Sequence, residues 1–364
     1  MKKIHDLPGV IHNRLANQLL TTRGLEHATD VVRLLGAVQA QDYAGAKWAL
    51  AQRMRRATDA SIEGELSAGH ILRTHILRPT WHFVAPADIR WMLALTAPRV
   101  NQAMAYHGRI NELTPSIVRR SNDAIAKALT GGKHLTRTEL GVALERARIR
   151  NASGQRLAHL VMRAELDAII CSGARRGNQF TYALLDERVP PAEPIERDEA
   201  LRELARRYFS TRGPATAADF AWWSGLAMSD VKRALQITEP ELEKVVLGEQ
   251  VMWLIPSRSS KRAPSAHLLP NYDEYFIGYK NRNAIGDRLG HVNAVIGGDA
   301  RISNVVIVDG QLVGGWKRMV DKKRIMVDMV LWCRLTAAEK GRVAAAGEAF
   351  SKFVDAPCEI RGLS

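Results

Sequence analysis

Cysteine is scarce in this chain. Cys171, Cys333 and Cys358 are the three in 364 residues, they lie far apart, and no C-x-x-C occurs. This argues against a disulfide framework and a cysteine zinc site, and fits a reducing compartment. Eleven histidines include no H-E-x-x-H and no grouping at ligand spacing, so neither a metal nor a cofactor is expected. Gly297-Gly298 and Gly314-Gly315 lack the Lys-Ser/Thr or strand-to-helix setting of a phosphate loop, and Cys171 has no recognisable base nearby. No stretch approaches the roughly 18 apolar residues of a membrane helix, and no apolar run follows Met1-Lys2-Lys3-Ile4-His5-Asp6. A soluble, unprocessed, cytoplasmic protein without membrane contact is expected. Acidic residues are also in deficit: 38 against 52 Lys and Arg, net +14, with a pI near 10.0. A long polyanion, nucleic acid foremost, is the first partner to consider.

What is present is a repeated pattern. Thr114-Pro115 to Leu129 reads as a helix, Thr136 and Glu139 form a capping box for a second, and Gly154 to Ile170 supplies a third. Ala168-Ile169-Ile170-Cys171 and Gln179 to Leu184 then read as strands about a basic tip, Arg175-Arg176. Three helices and a hairpin describe a winged helix-turn-helix. After the proline-rich linker 190–194 the pattern returns: helices at 198–211 and 216–224, a turn at Gly225, a helix capped by Ser229, and strands at 242–247 and 251–255. Before it, helices at 12–21, 29–37 and 44–54 precede strands at 71–77 and 80–85. From about Ala266 the texture is β-rich, with an Asp309-Gly310 hairpin turn and a closing helix at 337–354. The expected fold is α+β: three tandem winged helix-turn-helix modules (1–100, 101–192, 193–262) followed by a small C-terminal antiparallel β-barrel (263–364).

Within the first module, Val38-Gln39-Ala40-Gln41-Asp42 places two glutamines at a break in helical periodicity, beside the positive end of the next helix. Amides do not exchange protons near neutral pH, but they accept from a water and donate to an oxygen in fixed geometry. The pair suits a reaction needing a placed water more than a strong base. Two amides closing backbone groups at a helix end is the plain alternative.

On Val38 to Asp42, on Leu77-Arg78-Pro79-Thr80-Trp81-His82-Phe83-Val84, and on Leu269-Pro270-Asn271-Tyr272-Asp273-Glu274-Tyr275, the chain resembles the AlkZ/YcaQ family of bacterial alkylpurine DNA glycosylases. The resemblance spans nearly the whole length. It implies tandem winged helices, a C-terminal β-barrel, and a catalytic Gln-x-Gln or Gln-x-Asp motif. Gln39 and Gln41 fall on that motif, so the crosslink-unhooking Gln-x-Gln branch is indicated. The implied partner is duplex DNA with alkylated purines, and the implied reaction is monofunctional hydrolysis of the N-glycosidic bond of N7-alkylguanine and N3-alkyladenine, interstrand crosslinks included. Such cationic bases leave without protonation, so no strong acid is required.

Secondary candidates beside the glutamines are Thr80 and His82 on a wing strand, and Asp273, Glu274 and Tyr275 in an aromatic setting. A backbone-satisfied histidine, and salt bridges from the carboxylates to Arg282 or Lys280, are their ordinary alternatives. Arg53, Arg55, Arg78, Arg175, Arg176, Lys280, Arg282, Lys317 and Arg318 are candidate phosphate contacts, as are Arg56, Arg258, Lys261, Arg262, Lys322, Lys323 and Arg324. The ribbon from Val306 to Trp316 is a candidate to enter the DNA groove, a plain barrel hairpin being the alternative. A non-catalytic winged-helix regulator is the rival function; such proteins usually dimerise, and the absence of a leucine heptad here favours a monomer.

Overall fold

The computed structural model describes residues 6–22, 24–256, 263–290, 304–321 and 324–363. The candidates Arg258, Lys261, Arg262, Lys322 and Lys323, the pair Gly297-Gly298 and the side chain of Arg324 lie outside the described residues. A leading helix, α1 (Leu7–Asn17), is capped by Asp6, whose carboxylate accepts from the Gly9 N–H.

Helix, short strand, two helices and hairpin then follow one another twice, and a third time with a single bridge in place of the short strand. The first unit is α2 (Ala28–Leu35), β1 (Ala37–Gln39), α3 (Tyr43–Ala51), α4 (Asp59–Ala68), β2 (Leu72–His75) and β3 (Trp81–Val84), with sheet order β1-β3-β2. Helices α5 (Pro86–Ala103) and α6 (Ala105–Ile110) lead to the second: α7 (Pro115–Leu129), β4 (Leu135–Thr136), α8 (Arg137–Arg146), α9 (Gly154–Leu166), β5 (Ile170–Ser172) and β6 (Thr181–Leu184), ordered β4-β6-β5. After α10 (Leu185–Arg188), the third has α11 (Arg197–Arg212), α12 (Ala217–Ser224), α13 (Met228–Thr238), β7 (Glu243–Leu247) and β8 (Gln250–Leu254). A single bridge from Ala215 to Trp253 takes the first strand's place there.

Several local expectations change. The first unit opens with α2, not with the leading helix, and its third helix is α4, which the sequence reading missed; Thr58 and Ser61 close a capping box at its start. Ser229 does not cap α13: Ala227 holds the cap position, with no side-chain cap bond, and Ser229 lies inside the first turn. Gln39 ends a strand instead of sitting in a helix-helix turn.

The C-terminal part is β9 (Ala266–Leu269), α14 (Glu274–Ile277), β10 (Asn304–Val308), β11 (Gln311–Asp321), β12 (Arg324–Leu331), α15 (Ala337–Phe353) and β13 (Cys358–Arg361). Among the described residues its strands run β13-β12-β11-β10-β9 as a half-barrel sheet, not a closed antiparallel barrel. β13 pairs parallel to β12, because α15 carries the chain back across the sheet and a crossover of that length permits a parallel return. The ribbon proposed to enter DNA, Val306 to Trp316, is built into this sheet: Val306, Ile307, Val308, Leu312, Val313 and Trp316 are all buried, so it has no free face for a groove. Farther along β11, Lys317, Arg318 and Met319 are exposed.

The cores cross the sequence divisions. Val31, Val32, Leu35, Trp48 and Phe83 of the first unit share one core with Leu268, Val306, Val313, Trp316 and Phe350. Trp48 and Gln52 both donate to the Leu268 carbonyl, at 2.7 and 3.2 Å. The C-terminal sheet is thereby fixed against the unit that carries the glutamines.

Candidate active site

Gln39 sits opposite His82 on the central strand β3, and His82 sits opposite Thr74 on β2. Directly paired residues of antiparallel strands project to the same face, so the three side chains form one row. Both main-chain groups of the next residue are held: the Ala40 N–H donates to the Trp81 carbonyl at 2.7 Å, and Arg73 Nε donates to the Ala40 carbonyl at 3.2 Å. Gln41 follows as an exposed residue, just before Asp42, whose carboxylate caps α3 through the Gly45 N–H at 3.0 Å. The pair therefore comprises one buried and one exposed amide on a pinned main chain.

The Gln39 amide is oriented by Arg78, whose Nη2 donates to Oε1 at 2.7 Å. A guanidinium can only donate, which identifies the bonded atom as the amide oxygen; among the described residues no acceptor takes the Nε2 hydrogens. His82 is fully buried, and its Nδ1 lies 2.9 Å from the Thr80 carbonyl. A carbonyl can only accept, so the proton is on Nδ1, and the Nε2 lone pair has no partner among the described residues. Burial, aided by the charge of Arg78, holds this imidazole well below the usual histidine range. A neutral ring with its proton committed to a carbonyl is not a general acid. The hydroxyls of Thr74 and Thr80 are likewise buried and without a hydrogen bond among the described residues.

Asp273 and Glu274 are brought to the site from far along the chain, but as structural groups. Asp273 is fully buried in a two-pronged ion pair with Arg53, both bonds at 2.9 Å, and it caps α14 through the Tyr275 N–H. Arg53 is itself 1% exposed and also donates to Ala49 and Gln18, so it cannot serve as a phosphate contact as the sequence reading had it. Glu274 Oε1 accepts the main-chain N–H of Gln39 at 2.9 Å; Oε2 accepts from Arg212 and from the Trp223 indole. The partners are thus Arg53 and Arg212, not the Arg282 and Lys280 nearest in sequence: Arg53 just after α3 and Arg212 at the end of α11 reach the two carboxylates, whereas Arg282 bonds the Phe276 carbonyl and Lys280 is exposed. Tyr275 is core, its hydroxyl bonded to the Gly310 carbonyl.

The remaining basic candidates divide. Arg55, Lys317 and Arg318 are exposed; Arg176 is exposed but paired with Glu139; Arg175 is half-buried, 3.4 Å from Glu63. The sequence reading missed Arg73, Arg212 and Trp222. Arg73 lies 4.2 Å from the Trp81 ring centre and 4.5 Å from that of Phe180, between the first two units. Trp222 is 44% exposed, anchored by its indole N–H to the Ile277 carbonyl, with Arg78 above its ring at 5.8 Å. The adjacent Trp222-Trp223 pair was the available signal, since neighbouring positions on a helix face different surroundings. Among the described residues no three His, Cys, Asp or Glu side chains gather as metal ligands, and no helix is long and apolar enough to cross a membrane.

Residues 32–353 match the family model described as DNA glycosylase AlkZ-like. An interstrand DNA cross-link repair glycosylase of Streptomyces sahachiroi is 27% identical over 337 residues, covering 86% of this chain and 88% of that protein. The solved structure of Streptomyces sahachiroi DNA glycosylase AlkZ superimposes with a TM-score of 0.81 at 22% identity, covering 99% of this chain and all of that one, which places the two in one fold.

Proposed function

Because this chain belongs to the AlkZ-like DNA glycosylase family, we propose that it is a monofunctional enzyme that hydrolyses the N-glycosidic bond of cationic N7-alkylguanine and N3-alkyladenine in duplex DNA, with Gln39 and Gln41 placing the water. The reading includes interstrand crosslinks, on the strength of the relative whose name carries that activity. The observation that carries it is that no free acid stands at Gln39 among the described residues: burial favours the neutral form of His82, and Asp273 and Glu274 are committed to arginines. The leaving base must then bring its own positive charge. Gln39 would donate from Nε2 to the water oxygen, while exposed Gln41 accepts a water proton, as oriented dipoles that need no reorganisation in the transition state. A Schiff-base step is not expected: Lys47, the lysine nearest the motif in sequence, is buried in ion pairs with Asp59 and Glu63 at 2.8 and 2.9 Å.

The three repeated units are read as tandem winged helices with the divisions 1–100, 101–192, 193–262 and 263–364, acting as a monomer in the cytoplasm. Arg55, Arg175, Arg176, Lys280, Lys317 and Arg318 would contact phosphates without reading sequence. The test is alkali cleavage of duplexes bearing one N7-methylguanine or one nitrogen-mustard crosslink after incubation with the protein. Abasic sites at the lesion support the reading. A protein that instead prefers one undamaged sequence by on the order of a thousand-fold is a regulator.

A further inference from the structure

Arg78 is withdrawn from solvent over most of its surface, yet its guanidinium makes one hydrogen bond, to Gln39 Oε1, and no ion pair among the described residues. Its Nε is buried without an acceptor among the described residues. The charges of Arg212 and Arg282 bear on it, both unfavourably. The carboxylate whose field favours it is Glu274, and that group is already saturated: one oxygen takes the Gln39 N–H, the other takes two donors of Arg212 and the Trp223 indole. The cluster thus carries surplus positive charge in a desolvated place, a costly arrangement unless an anion completes it.

The placement of Arg78 is enforced from outside its own unit. Leu77 is in the left-handed region, with φ +62°, and its carbonyl oxygen occupies the space where a Cβ on Gly225 would stand, 2.3 Å away. Gly225, with φ +70°, ends α12, so the third unit clamps the tip on which Arg78 stands. Beside it the exposed face of Trp222 gives an aromatic surface to the same opening.

We propose that Arg78 is a phosphate-binding residue of the catalytic site: its free donors take a phosphodiester of the damaged strand next to the lesion while its Nη2 holds the Gln39 amide. The proposal rests on the glycosylase reading and deepens it. A guanidinium fork matches a phosphate better than any other anion DNA offers. The chemistry also requires it. An uncompensated cation beside Gln39 would oppose the positive charge that grows on the sugar as the base departs; a phosphate on Arg78 cancels it. Binding the correct strand and orienting the water-placing amide then become one event.

The experiment uses duplexes carrying a 2′-fluorinated N7-methylguanine, which resists hydrolysis, with a neutral methylphosphonate substituted at each phosphate flanking the lesion in turn. Wild-type affinity should fall by roughly ten-fold at one position. R78M should bind unsubstituted DNA more weakly by about the same factor and be indifferent to that methylphosphonate. R78K keeps the charge but not the fork, and should show an intermediate loss that stays sensitive to the same position. Melting curves of the three proteins identify any variant that fails to fold, in which case R78K alone decides the matter through that sensitivity. Equal methylphosphonate sensitivity at every position in wild type and a folded R78 variant, or no sensitive position in wild type, overturns the proposal. Because this readout is binding, it is separate from base release, whose absence would instead overturn the glycosylase reading.

Discussion

The main-chain N–H of Gln39 donates to Oε1 of Glu274 at 2.9 Å, joining residues 235 positions apart. The other oxygen of Glu274 holds Arg212, which also donates to the carbonyls of Leu35 and Ala37 on either side of the turn into β1. One buried carboxylate therefore sets the strand on which Gln39 stands. Glu274→Ala strands Arg212 as a buried, unpaired charge and should cost about 3–5 kcal/mol in urea unfolding. Glu274→Gln keeps an acceptor and should cost less, while still slowing base release. Equal stability of both variants to wild type would contradict this role.

Arg53 makes the opposite case from the exposed arginines. Removing it leaves Asp273 charged and alone at zero exposure, so Arg53→Met should destabilise by about 3–5 kcal/mol, whereas Arg55→Ala should leave stability within about 0.5 kcal/mol. Salt titrations of DNA binding distinguish them further. The slope should flatten for Arg55→Ala and hold for folded Arg53→Met.

The depressed pKa of His82 has a definite sign in stability. Its folded value lies well below the 6.5 it would have when unfolded. Above that pH neither state is protonated and the group contributes nothing. As pH falls below about 6.5 the unfolded chain takes up a proton that the folded protein refuses, so stability drops by up to about 1.4 kcal/mol per pH unit. His82→Gln, which keeps a donor for the Thr80 carbonyl, should flatten urea-derived stability between pH 6.5 and 5.5. An unchanged slope would mean that this imidazole is protonated in the fold.

Gly225→Ala tests the clamp on the wing tip. The left-handed backbone disfavours any side chain, and the methyl would meet the Leu77 carbonyl. A loss of about 1–3 kcal/mol is expected, together with slower base release as Arg78 leaves Gln39. Full activity in a destabilised variant would separate Arg78 from the water-placing geometry.

Short-range signals were legible in the sequence, and long-range pairings were not. The Thr136-Glu139 capping box and the Asp309-Gly310 turn are local chemistry, and both stand in the structure, with Asp309 and Gly310 at positive φ. Helix α4 escaped because Gly64 and the polar residues Glu63, Glu65 and Ser67 blur its apolar face, leaving Ile62 and Leu66 as its buried residues. Helix α5 carries Pro98 in its interior, which reads as a break. Arg53 lies 220 positions from Asp273 and Arg212 lies 62 from Glu274, so proximity in sequence pointed to Lys280 and Arg282 instead. Gln39 and Gln41 stand out as candidates because two amides at a break in periodicity are chemically odd. Their unequal burial, and the arginine that orients one of them, required the fold.

Base release from matched duplexes differing only in the lesion tests the central claim most directly, with wild type compared to the Gln39→Ala, Gln41→Ala and double variants under single-turnover conditions. The account predicts release of N7-methylguanine and N3-methyladenine but not of uracil or 8-oxoguanine. It predicts losses of roughly ten-fold or more in each single variant, with little change in DNA affinity. Comparable wild-type rates on uracil and N7-methylguanine, or a double variant as fast as wild type, would contradict it.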